Sequence, residues 1–148
     1  MATGQTLLQV SVLGNTPPAS NPATPDQRNV HNVLDFDDTT DEFAVFTLRM
    51  PSHYAGGGLT IYPHFSMTSA TSGNVVLAIE LERIGDGQLD IDADSFAAAN
   101  TATIAVPATS GFVESSSSIT FTDGADMDSI AVGEQFRLRF SRDANNRS

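Results

Sequence analysis

The chain reads as an all-β protein: a jelly-roll-like β-sandwich or barrel with an extended, proline-rich N-terminal arm. Three observations predict this. From about residue 31 onward, short apolar runs recur with Gly, Asn, Asp and Pro between them, the spacing of a sandwich or barrel. In the longer runs apolar and polar residues alternate, as expected for a strand with one buried face. Residues 43–58, FAVFTLRMPSHYAGGG, read as an apolar strand that stops at a proline and opens into three glycines. Residues 59–67, LTIYPHFSM, then supply a second strand across that corner.

Residues 1–30 differ from the rest and are read as an arm, with the β domain over 31–148. Leu7, Leu8, Val10 and Val12 fit one short strand. Residues 15–29 then place Pro17, Pro18, Pro22 and Pro25 among small polar residues. Proline lacks the backbone donor and pushes its predecessor to extended geometry, so neither a helix nor an inner strand fits there. An apolar strand beyond such a linker has little of its own domain to pair with. Its outlets are a sheet edge on a neighbouring subunit or a disordered tail.

The strands of the domain follow in order. Residues 33–36 (VLDF) end at two aspartates and two threonines, and 43–50 and 59–67 flank the glycine corner. Over 75–84, Val75, Leu77, Ile79 and Leu81 alternate with Ala78, Glu80 and Glu82. Leu, Ala and Glu also favour helix, but Gly73 and Gly85 bound this run so closely that a strand is preferred. Residues 101–106, 117–121 and 135–140 complete the set, the last alternating Phe136, Leu138 and Phe140 with Arg137 and Arg139. Residues 94–100 (DSFAAAN) resemble one helical turn with an aspartate cap, and 126–131 a loop or single turn.

Composition bounds the function. The 148 residues suit about one domain, 40% of them are hydrophobic, and no apolar run approaches the length of a spanning helix. The first fifteen residues have neither a basic region nor a sustained apolar one, so a signal peptide is not expected. With no cysteine there is no disulfide, thiolate zinc site or thiol nucleophile. Seven basic against eighteen acidic residues give a net charge of −11. That charge repels phosphate backbones and anionic lipid, so neither nucleic acid nor membrane is an expected partner.

Motifs for chemistry are weak. Asp86, Asp90, Asp92 and Asp94 are hard oxygen ligands spaced for a curled calcium loop. Counted from Asp90, however, the sixth and twelfth places hold Ser95 and Thr101 instead of the required Gly and Glu. His31, His53 and His64 lack zinc-site spacing. No G-x-S-x-G elbow occurs. Gly56, Gly57 and Gly58 lead into a strand, not into a helix N-terminus with a P-loop lysine. Two tyrosines and no tryptophan offer few platforms for stacking on sugars. The expectation is a non-enzymatic protein with no metal and no cofactor.

Three phrases carry a resemblance: VLDFDDTTDEFAVFTLRMPSHYAGGGLT at 33–60, LERIGDGQLDID at 81–92 and ITFTDGADMDSIAVGEQFRLRFSRDA at 119–144. Together they resemble bacteriophage capsid decoration proteins, also called cement or auxiliary proteins. The resemblance spans most of 33–144 and is most specific in MPSHYAGGGLT and FTDGADMDSIAVGEQFRLRF. It implies a jelly-roll homotrimer on the exterior of the phage head, tying major capsid proteins together. Contact residues are then expected in the arm (Leu7, Leu8, Val10, Val12, Pro17 and Pro18) and at the corner (His53 and Tyr54). The alternative is a phage tail or fibre domain, or a glycan-binding jelly-roll module.

Overall fold

The computed structural model describes residues 6–146. These form eight strands, β1 (Thr24–Arg28), β2 (His31–Asp35), β3 (Phe43–Arg49), β4 (Leu59–Ile61), β5 (Asn74–Ile84), β6 (Asn100–Ala105), β7 (Ile119–Phe121) and β8 (Gln135–Arg142), with short 3-10 turns at Val12–Gly14 and Ala125–Met127. All strand pairs are antiparallel. They make a four-stranded sheet in the order β3-β8-β5-β6 and two separate pairs, β1-β2 and β4-β7. The fold is all-β with open sheets. The barrel half of the sequence expectation is therefore corrected: among the described residues no sheet closes on itself.

The alternation seen in the sequence sets the two faces of the large sheet. Val75, Leu77, Ile79 and Leu81 of β5 point to one side with Phe136 and Leu138 of β8, and Ile119 and Phe121 of β7 meet them in one core. Each such side chain withdrawn from water contributes roughly 1.5–3 kcal/mol. The opposite face is also covered. Val45, Val76, Ala78, Glu82 and Ser141 are buried on it. The 85–99 connection reaches over this side, bonding Ala97 N–H to Leu81 O at 2.9 Å.

The N-terminal segment lies against its own domain. The periodicity predicts a strand through Leu7, Leu8, Val10 and Val12, but no strand forms there; Val12 instead opens a 3-10 turn whose Ser11 side chain accepts from Leu13 N–H. Leu7 packs on the core, so alternation was not the pattern in force. Further along, Thr16 N–H donates to Val45 O (2.7 Å), Ala23 N–H to Phe43 O (2.9 Å) and Phe43 N–H to Asn21 O (2.9 Å). The Asn15 amide oxygen accepts from Val45 N–H at 2.9 Å. These contacts occupy the outer edge of β3, which would otherwise expose unpaired backbone groups.

Other differences have local causes. Pro25 sits inside β1, where the sequence suggests arm; β1 pairs only with β2, so the missing donor costs no ladder bond. The expected 59–67 strand stops at Ile61, just before Tyr62 and Pro63, and rejoins only as a bridge from Phe65 to Glu114. Residues 94–100 form no helical turn: the Asp94 carboxylate caps the neighbouring Ser95 N–H, and Asn100 already begins β6.

Candidate functional site

The two most specific phrases of the sequence meet at one end of the domain. After β3 ends at Arg49, Met50 N–H donates to Glu134 O (2.8 Å) and Gly133 N–H to Met50 O (2.9 Å), so 50–58 and 121–134 are stitched together. Tyr54 fills the middle of this corner. Its hydroxyl donates to Asp123 Oδ1 at 3.2 Å, accepts from Gly58 N–H at 3.1 Å and lies 3.4 Å from Met127 Sδ. Burial, then the Asp123 charge, raises the Tyr54 pKa above its ordinary 10, against the opposing pull of Gly58 N–H. The phenol therefore stays protonated and holds geometry rather than exchanging protons.

Gly58 explains why the corner needs glycine. Its φ is +89, and a Cβ there would stand 2.2 Å from Phe121 O. Only a residue without a side chain lets β4 start that close to β7. Across the same corner, Asp128 and Ser129 both hold positive φ, at 53 and 57, a backbone region that costs non-glycine residues energy. Asp128 is fixed there by accepting from Arg83 N–H at 2.8 Å. Asp126 gathers Thr122 N–H (2.8 Å) and the Asn100 amide (3.1 Å to each oxygen), and these donors, Thr122 first, hold its carboxyl below the usual range. An open depression of about 470 Å³ lies beside Tyr54, bordered by Gly56, Asp123, Ser129 and Val132.

A second cluster crosses the covered face of the large sheet. Arg137 on β8 bonds Glu82 on β5, and Arg139 bonds Glu80. The Phe96 ring from the 85–99 connection lies against both guanidinium groups, at 4.8 and 4.7 Å, and the Phe43 ring also meets Arg139 at 4.8 Å. The sequence reading passed over this ladder. The sequence shows only half its signal, two glutamates and two arginines at period-two positions; that their strands are neighbours follows from the sheet order.

The expected contact residues scatter. Leu8 and Val10 are exposed, Leu7, Val12 and Pro18 half-buried, and Pro17 exposed, all along the domain's flank. His53 is exposed at the corner. Tyr54, expected to be offered to a partner, is 5% exposed and belongs to the core, so its role is to shape the corner. Asp86, Asp90, Asp92 and Asp94 lie in successive turns, where Asp90 accepts from Asp92 N–H. Among the described residues no three metal-ligating side chains converge. No protein-family model matches the chain, and comparison with curated proteins and with solved structures finds no match.

Proposed function

We propose that the protein is a non-enzymatic virion component, a capsid decoration protein that sits as a homotrimer on the exterior of a phage head and ties major capsid proteins together. Its domain is read as jelly-roll-like, the four-stranded sheet facing β4-β7 across the core, with residues 1–30 as a contact arm. The observation that carries the reading is the corner. The segments 50–60 and 121–140, in which the resemblance is most specific, meet in one interlocked unit around Tyr54. What that unit fixes is shape, through a buried phenol and a glycine approach, and shape suits a protein whose work is contact. Binding the assembled shell alone raises the cost of opening it by mass action. The test is uptake by undecorated heads. The purified protein is expected to co-sediment with them and raise their resistance to heat; heads left bare at saturating protein would sink the reading.

A further inference from the structure

Charge is distributed unevenly along this chain. Residues 50–79 hold no Asp, Glu, Lys or Arg, and residues 95–122 hold one, Glu114. The fold brings parts of these two stretches side by side. Phe65 and Glu114 exchange backbone bonds at 3.1 and 2.8 Å, and Gly111 N–H donates to Met67 O at 3.1 Å. The tip of the β1-β2 hairpin joins them: Arg28 donates to Ser66 Oγ at 2.7 Å, and its guanidinium passes 3.7 Å from the point where a Gly111 Cβ would lie. Around this junction stand Phe112 and Val113, each 65% exposed, Tyr62 at 56% and Val30 at 83%.

Val30 is held there against its own preference. Asn29 and Val30 form the two-residue turn with φ of 48 and 66, a turn whose second place ordinarily goes to glycine. A β-branched residue in this region is an outlier costing roughly 1–2 kcal/mol. Its exposure means that no packing within the chain offsets that cost. Strain kept at an exposed apolar side chain points to a contact outside the fold.

We propose that this face, made by the 62–73 and 106–118 connections and the β1-β2 tip, is where the protein contacts a second copy of itself. The inference rests on the homo-oligomer of the reading above, not on the capsid. Interface cores are depleted of charge and enriched in aromatic residues; Phe112 and Tyr62 stand exposed here, and the two charged groups at the junction, Arg28 and Glu114, are half-buried and bonded within the chain to Ser66 and to Ser116 and Ser117. A partner bringing a cluster of like charges here would desolvate them against only Arg28 and Glu114, one charge of each sign. A second copy presents the same surface, on which Arg28 and Glu114 balance. Elsewhere two chains of net charge −11 repel, so their approach is least opposed on this side.

The test measures solution mass by light scattering after size exclusion, on the full chain. The wild type is expected at a multiple of 15.6 kDa, and the double variant Phe112→Glu/Val113→Glu at 15.6 kDa itself, with circular dichroism unchanged. Ile91→Glu, at a site 87% exposed outside the face, is expected to keep the assembled mass. Val30→Gly separates the face from folding: it should raise the thermal midpoint while weakening assembly, whereas a Val30 serving only the fold would leave assembly untouched. A monomeric wild type overturns the proposal, as does an assembly that survives both the double variant and Val30→Gly. Uptake by undecorated heads is followed in parallel. Heads left bare by an assembled wild type remove the capsid reading alone; heads decorated by a double variant of unchanged mass remove the face alone.

Discussion

Glu82 and Arg137 stand opposite each other on β5 and β8 and meet at two points, Nε to Oε1 at 2.7 Å and Nη2 to Oε2 at 3.1 Å. Their exposures are unequal: the Glu82 side chain is 1% accessible and that of Arg137 38%. That inequality decides which partner the fold can lose. Removing Arg137 strands a carboxylate where water does not reach, whereas removing Glu82 leaves a guanidinium free to turn outward. Arg137→Ala is expected to cost toward the lower end of the ~3–5 kcal/mol seen when a buried pair loses one partner. Glu82→Ala should cost clearly less by denaturant unfolding, and equal losses would contradict this account.

The glycine corner gives a paired test. Gly57 and Gly58 have nearly the same φ, +91 and +89, but a Cβ on Gly57 meets nothing within 4 Å while one on Gly58 strikes Phe121 O. Gly57→Ala therefore carries only the backbone penalty, about 1–2 kcal/mol. Gly58→Ala adds a displacement of β4 from β7, and its thermal midpoint should fall well below that of Gly57→Ala.

Tyr54→Phe keeps the ring in the core and removes one oxygen. Gly58 N–H and Asp123 Oδ1 then lose their partner. Asp123 is exposed and takes water instead, so the loss falls on the half-buried Gly58 N–H, toward the lower end of the about 1–3 kcal/mol of an unsatisfied buried group. Chemical denaturation should show a loss in that range with an unchanged m-value, since the surface exposed on unfolding is the same.

Acid should weaken the fold through Glu134, which takes two bonds from Arg83 Nε, one from Nη2 and one from Ala131 N–H. Arg83 is the chief reason its carboxyl lies below the ordinary 4.5. A depressed pKa means that the unfolded chain binds the proton first. The stabilisation is thus full above 4.5 and is lost as pH falls through the folded value. Asp35 acts in the opposite sense, raised by burial and then by Asp26, so the useful measurement is a difference. Glu134→Gln should be less stable than wild type at neutral pH, with the gap closing below 4.5; a gap independent of pH would refute the assignment.

The strands whose faces differ in polarity were legible in the sequence. In β5 and β8 every second residue enters the core, so period two alone locates them. The corner was legible because Pro51 and the three glycines punctuate it. Where the sequence reading failed, tertiary contact outweighed local pattern. Leu8, Val10 and Val12 alternate like a strand, but no ladder takes up that stretch, and it is Leu7 that packs on the core. Tyr54 is expected among the contact residues because its corner is placed at one end of the sandwich. Its partners Asp123 and Met127 lie some seventy residues away, and nothing near Tyr54 announces them. The ladder of Arg137, Arg139, Glu80 and Glu82 needed the strand order, which periodicity does not give.

That strand order has a consequence for biosynthesis. β8 lies between β3 and β5 in the large sheet, yet of the eight strands it is the last to be made. On a growing chain β3 has no sheet neighbour and β5-β6 is a lone hairpin, marginal in water. The β3 edge that residues 15–23 cover likewise gains its backing only when β8 arrives. A ribosome stalled before Gln135 therefore carries small strand pairs and a lone β3 rather than half a domain, and the four-stranded sheet can close only after β8 has emerged.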